Sequence, residues 1–191
     1  MTKRGKIIVL VAPSGAGKTT LAHMLLDEFD ELTFSVSATT RLPRQGETDG
    51  KDYHFLSADE FQKAIDRGDF IEWEEFYGGK RYGTLQSEVD KQLDLGYFIL
   101  LDIEVNGALN VKRLYKDTCL SVFIKPPSIE ILEQRLRNRK TEDQASLQLR
   151  LERAQKEITF ADQFDLVIVN DNLKDAYLEL KHAVTNFMQS T

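Results

Sequence analysis

Cysteine occurs once in this 191-residue chain, at Cys119, which excludes an intramolecular disulfide framework and suits a reducing compartment. Cys119 lies in the apolar run CLSVFIK, where a buried, inert thiol is expected. No apolar run approaches the ~20 residues of a membrane span. Basic charge is also short: 25 Lys and Arg against 31 Asp and Glu leave a net charge of -6. That balance argues against non-specific nucleic-acid binding, so an anionic ligand must be held by local clusters. Only three histidines are present, at His23, His54 and His182, too dispersed to suggest a transition-metal site. Internal repeats and low-complexity tracts are absent.

What is present has the balance of an ordinary globular protein, with 41% hydrophobic and 29% charged residues, and a length suited to one core carrying small inserted units. The opening MTKRGKIIVLVAPSG has the basic and apolar parts of a signal peptide, but its apolar stretch runs into a glycine-rich loop rather than a cleavage site. Lys6–Ala12 therefore reads as a buried parallel strand, followed by a helix over Gly17–Glu28. Three more apolar runs, Tyr97–Ile103, Cys119–Lys125 and Phe164–Val169, read as strands. Each precedes a helical stretch: about Ala108–Tyr115, about Ile129–Arg139, and Leu173–Met188 with Asn172 as its cap. This rhythm predicts an α/β fold, a parallel sheet with helices on both faces. Two segments break it. Thr33–Leu95 carries shorter strand-like pieces, TFSVSAT and FIEWEEF, and a helix opened by the capping box Ser57-Ala-Asp-Glu60 and stopped near Arg67 by Gly68. Lys140–Glu157 is polar, helix-prone and poor in residues suited to a core, as in a mobile flap.

The strongest motif is Ala12-Pro-Ser-Gly-Ala-Gly-Lys18-Thr19, which matches G-x-x-x-x-G-K-[ST] except for Ala12 at the first glycine. Gly15 and Gly17 give the loop freedom to turn its N–H groups around phosphate oxygens at a helix N-terminus. Lys18 can reach the β- and γ-phosphates and the Thr19 hydroxyl can bind Mg²⁺. A second cluster pairs Arg41 and Arg44 around Pro43, suited to planar recognition of another phosphate, with Tyr53 as a hydroxyl donor. In the third, Glu72 is a carboxylate in the otherwise apolar Ile71-Glu72-Trp73. It can accept guanine N1–H and N2–H together, while Ser37 or Thr84 donates to O6. Taken alone, Glu72 also fits a solvent-facing position on a half-buried strand, and Arg135–Lys140 also fits a solvated helix face.

Together SATTRLPRQGETDGKDYHF, FIEW, RYGT, LLDIEVNGA, RLRNRKT and VIVND resemble the guanylate kinase family, in its order and spacing, from about Lys6 to about Leu180. The resemblance implies a P-loop core at 1–34, 96–136 and 159–191, a GMP-binding subdomain at 35–95 and a helical lid at 137–158. It implies ATP and GMP or dGMP as substrates, Mg²⁺ as cofactor, and a part in GMP and dGMP recycling and GTP precursor supply. ATP would meet Ala12, Pro13, Ser14, Gly15, Ala16, Gly17, Lys18, Thr19 and Thr20, with Asn170 near the adenine. Arg41, Arg44, Tyr53 and Tyr82 match the GMP-phosphate ligands; Ser37, Glu72 and Thr84 match the guanine ligands. Asp102 would orient arginines or metal-bound water, and Glu104 would lie beside the base or ribose. Arg135, Arg139 and Arg150 match the arginines that approach the ATP phosphates and, with Lys18 and Arg41, form the catalytic set. Asn106 replaces an expected Gln, and Lys140 an expected Gly.

The chemistry expected is phosphoryl transfer by positioning and electrostatics, since the phosphate nucleophile is already ionised and needs no general base. Two other readings are a non-catalytic module that binds phosphorylated peptides and a kinase for another nucleoside monophosphate. Retention of Lys18 and the lid arginines opposes the first, and Glu72 opposes the second, because it would face adenine N1 acceptor to acceptor. A cytoplasmic housekeeping role, with no nucleic-acid or membrane partner, completes the expectation.

Overall fold

The computed structural model describes residues 4–76, 78–138 and 144–190. The positions of Arg139 and Lys140 therefore lie outside the described residues. Strand β1 (Ile7–Val11) leads through the glycine-rich loop into helix α1 (Lys18–Glu28). Then follow β2 (Leu32–Phe34), β3 (Ala38–Thr39), β4 (His54–Phe55), α2 (Ala58–Arg67), β5 (Phe70–Phe76), β6 (Lys80–Leu85) and α3 (Gln86–Asp94). The remainder is β7 (Phe98–Asp102), α4 (Val105–Tyr115), β8 (Cys119–Lys125), α5 (Ile129–Asn138), α6 (Gln144–Ile158), β9 (Leu166–Val169) and α7 (Leu173–Gln189).

Five of these strands form a parallel sheet in the order β2-β7-β1-β8-β9. Its central strands lack polar alternation because both faces are covered. One face buries Ile7, Val9, Val11, Ile99, Leu101 and Phe123 with Val105, Ala108 and Val111 of α4. The other buries Ile8, Leu10, Leu100, Val122, Ile124 and Ile168 with α1 and α7. Consecutive residues thus serve opposite cores, as the pleat requires. Cys119 is buried, as expected, and its thiol is pushed up to about 12, chiefly by burial. The neighbours of β1 lie on opposite sides of it, so the loop after β1 leaves the sheet where the chain's crossovers diverge, the usual place for a ligand.

A second, four-stranded sheet has the order β4-β3-β6-β5, with β3 and β4 parallel and the other pairs antiparallel. The segment TFSVSAT, which reads as one strand-like piece, is divided: Leu32–Phe34 pairs with β7 in the first sheet, while Ala38 and Thr39 belong to the second. The polar Ser35 and Ser37 frame the crossing between them. Helix α2 begins on the expected capping box, with Ser57 and Glu60 bonded reciprocally, and ends at Gly68 with φ 74°. Asn172 caps α7, its side chain accepting from the N–H groups of Lys174 and Asp175.

The polar stretch after Lys140 does contribute to a core. Leu147, Leu151 and Ala154 recur at helical spacing along α6 and pack on Leu132 and Leu136 of α5, forming a small third cluster. Among the described residues, no helix is long and apolar enough to cross a membrane.

Candidate active site

The glycine-rich loop is shaped by two left-handed residues. Gly15 has φ 92° and Gly17 φ 97°, conformations that side chains rarely adopt. A Cβ on Gly15 would come within 2.9 Å of Leu136, and one on Gly17 within 2.3 Å of the Asn170 amide nitrogen. The Ala16 N–H donates to the Pro13 carbonyl at 3.0 Å. Beneath the loop Asn170 is buried, and its amide donates to the Ala16 carbonyl at 2.8 Å. Asn170, expected near an adenine, thus also forms the floor of the loop. Pro13 is buried and Ser14 exposed, while Ala12 lies partly buried against the sheet.

Lys18 opens α1 and points across the end of the sheet. Its Nζ lies 2.5 Å from Asp102 Oδ1 and donates to the Ile103 carbonyl at 3.3 Å. Thr19 and Thr20 are exposed on the same first turn. Among the described residues no group of three or more His, Cys, Asp or Glu side chains could hold a metal by itself. Thr19 and Asp102 are hard oxygen donors beside the loop, and this sparse set fits a cation such as Mg²⁺, which keeps waters and takes most other ligands from phosphates.

Opposite Lys18 stands the second sheet. Glu72 and Thr84 are direct cross-strand partners, and the Thr84 hydroxyl donates to Glu72 Oε1 at 2.6 Å. Glu72 is therefore neither solvent-facing nor free. Burial raises its pKa, and the nearby Glu74 and Glu104 push the same way, while the Thr84 bond opposes them. Helix α4 comes so close that a Cβ on Gly107 would lie 2.8 Å from both Cβ and Cγ of Glu72. Gly107 lies within LLDIEVNGA, where the sequence alone gives it no role; the structure puts it inside α4, which begins at Val105 and not at about Ala108.

Between the sheets is a cavity of about 510 Å³, and Lys18, Ser37, Tyr53, Glu72, Tyr82, Asp102 and Glu104 line it. A smaller adjoining cavity is lined by Ser37, Tyr53, Thr84 and Asp102, with Ser35 and Asp52. Seven residues singled out from four separate stretches therefore meet around one space. Arg41 is just beyond it, buried, with its guanidinium 5.1 Å from the Tyr53 ring centre and 5.6 Å from that of Phe55. Its two terminal nitrogens donate to both oxygens of Glu47 at 2.8 Å, and Nη1 also donates to the Leu42 carbonyl. Glu47 further accepts from the Arg44 N–H at 2.6 Å. Its carboxyl is held at about 2, first by the Arg41 hydrogen bonds and then by the Arg44 N–H. Arg44 itself is exposed. Glu47 was not singled out, although Arg41, Arg44 and Glu47 recur every three residues through one turn.

The lid arginines approach from the other side. Arg150 Nη1 donates to the Ser14 hydroxyl at 3.1 Å, so α6 reaches over the glycine-rich loop. Arg135 donates to the Asp171 carbonyl at 3.3 Å. Arg153, not predicted, reaches Glu104 at 2.7 Å and Glu74 at 3.4 Å.

Known proteins resemble this chain over nearly its whole length. The family model described as "Guanylate kinase" matches residues 4–187. A guanylate kinase of Salinibacter ruber is 52% identical over 96% of this chain and 97% of its own length. One from Chlorobium luteolum is 49% identical over 97% of this chain and 94% of its own. Among solved structures, guanylate kinase from Anaplasma phagocytophilum superposes with a TM-score of 0.72 at 32% identity, over 99% of this chain and 89% of that one.

Proposed function

The chain belongs to the guanylate kinase family and transfers a phosphoryl group from ATP to GMP; from that premise we propose how its residues share the work. Residues 35–95 form the acceptor subdomain, 137–158 the lid, and 1–34, 96–136 and 159–191 the ATP-binding core. The divalent metal that such a kinase uses would be Mg²⁺, and the Thr19 hydroxyl and Asp102 would hold it; when bound it would neutralise phosphate charge. The other residues act directly on the nucleotides. The loop Ala12–Thr20 cradles the ATP phosphates through its N–H groups. Lys18, Arg135, Arg139 and Arg150 balance the charge on the moving phosphoryl group and on its leaving side. Arg41, Arg44, Tyr53 and Tyr82 hold the GMP phosphate in line. Three of the five Arg41 N–H donors are used by Glu47 and Leu42, so Arg41 gives few donors to the phosphate but a fixed direction.

No general base is needed, because the attacking oxygen belongs to an ionised phosphate. The P–O bond to ADP breaks as the bond to the GMP oxygen forms, and closure of both inserted units excludes water. Ser37, Glu72 and Thr84 read the base, Glu104 lies against base or ribose, and Asn170 meets the adenine side. The partners are small nucleotides rather than nucleic acid, and a cytoplasmic location suits a chain with one unpaired thiol.

The observation that carries this reading is that Lys18 and Glu72 line the same cavity. Its test is base choice. E72Q replaces one acceptor by a donor at nearly constant volume, which leaves a guanine N–H unpaired at a cost of about 1–3 kcal/mol, or roughly 5- to 150-fold in kcat/KM for GMP. IMP, with one fewer donor, should lose less, and AMP least. ADP release measured with the three acceptors decides the matter; an equal loss for all three refutes the base-reading role.

A further inference from the structure

Arg153 lies on α6, one turn beyond Arg150, yet it does not face the glycine-rich loop. Its Nη2 donates to Glu104 Oε2 at 2.7 Å and lies 3.4 Å from Glu74 Oε1, and its Nε donates to Glu157 Oε1 at 2.7 Å. Glu104 comes from the end of the parallel sheet and Glu74 from β5 of the second sheet, so one side chain joins three parts of the molecule. Both carboxylates also line the cavity that holds Glu72. Glu74 is two residues from Glu72 on the same face of β5, and its Oε2 is buried without a hydrogen-bond partner. This wall thus brings Glu72, Glu74 and Glu104 together, with Lys18 and Lys80 as the lysines of the same lining, on a cavity that must admit a phosphate dianion.

We propose that Arg153 is a positioning residue for the acceptor nucleotide: it balances Glu74 and Glu104 across the cleft, so that the cavity accepts the GMP anion and Glu72 faces the base in its ionised form. The proposal rests on the reading of this cavity as the GMP site. The electrostatics run the same way. Glu74 and Glu104 both disfavour a charge on Glu72, and Arg153 is the cation bonded to both. Arg153 therefore acts on the acceptor through these carboxylates, whereas Arg150, three residues earlier, touches the donor loop. The same lid helix would then sense both substrates, one through each arginine, and lid closure would be favoured once the acceptor side is charge-balanced.

The test measures GMP and ATP dissociation constants separately by calorimetry, with steady-state kinetics alongside, in wild type, R153Q, R153K and E74Q/E104Q backgrounds. In R153Q the Kd and KM for GMP should rise about three- to tenfold, since a half-exposed cation is screened by solvent. ATP affinity and kcat should change by less than about twofold to threefold. R153K keeps the charge and should recover part of the loss. With Glu74 and Glu104 already neutralised, R153Q should cost little more. A change in ATP affinity as large as that for GMP, or an undiminished loss in the E74Q/E104Q background, overturns the proposal. Wild-type protein that phosphorylates GMP while R153Q binds it normally overturns this proposal alone; wild-type protein inactive on GMP overturns the underlying reading as well.

Discussion

Gly107→Ala adds a single methyl group, and the structure says where it goes. The new carbon would sit 2.8 Å from Cβ and Cγ of Glu72. Carbon atoms in good contact are ~3.5–4.0 Å apart, so something must retreat by about 0.7–1.2 Å. The Cβ of Glu72 cannot rotate away, because its position is fixed by the backbone of β5, which pairs with β6. The shift therefore moves the strand or tilts the carboxylate, and the 2.6 Å bond from Thr84 lengthens or breaks. Overpacking of this kind costs roughly 1–3 kcal/mol. Replacing a helical glycine by alanine returns about 1 kcal/mol of helix propensity. Net destabilisation should be at most ~2 kcal/mol, a fall in Tm of no more than about 8 °C for a chain of this size. Function should suffer more, since a misplacement of ~1 Å at a positioning group costs on the order of 100-fold. The expected result is a folded protein whose kcat/KM for GMP falls about 30- to 100-fold through KM, with the ATP KM nearly unchanged. Coupled ADP-release assays with each substrate varied would show this. A kcat/KM for GMP within about twofold of wild type would refute the argument that Gly107 sets the place of Glu72.

Lys18→Ala should leave the fold intact, because Lys18 meets Asp102 at the partly exposed sheet end, and should lower kcat at least ~100-fold, as expected for one lost stabilising donor. Near-normal kcat at saturating ATP would remove Lys18 from the mechanism. Cys119 should resist alkylation in the native state. With its thiol pushed up to about 12 from an ordinary 9.0, the thiolate fraction at pH 8 is lower by about a thousandfold, and burial blocks access as well. The sign is that raising the pH from 8 to 9 should raise the thiolate fraction in both states, yet labelling of folded protein should stay slower by at least about several hundredfold, which thiol-reagent kinetics with and without denaturant would check.

Much of the fold was legible because the sheet is covered on both faces, which leaves largely apolar runs in β1, β7 and β8, with Ser121 the polar exception inside β8. Boundaries moved where tertiary contacts decide. Lys6 sits just outside β1, since its amino group is bonded to the Phe187 and Ser190 carbonyls at the end of α7. Phe164 precedes β9 rather than joining it, packing on Phe123 at 5.4 Å. Two-residue strands such as β3 and β4 carry too little pattern to be read. In the site, residues within contiguous motifs were visible: the glycines, Lys18, Arg41, Glu72. Residues whose part depends on distant segments were not. Gly107 matters through a strand more than thirty residues earlier, and Arg153 through carboxylates on two other elements. The core of α6 was hidden because Leu147, Leu151 and Ala154 are diluted by charged neighbours.

The hydrogen bond from Asn170 to Ala16 spans 154 residues of chain, and it bears on the order in which the molecule is assembled. Synthesis at ~5–20 residues per second separates the two partners by roughly 8–30 s. During that interval β1 and α1 exist without the strand that brings Asn170 beneath the loop, and the Ala16 carbonyl has only water to bond. The glycine-rich turn is written near the beginning of the chain yet completed near its end. A ligand held by that turn should therefore stabilise the whole molecule more than any fragment that ends before Asn170.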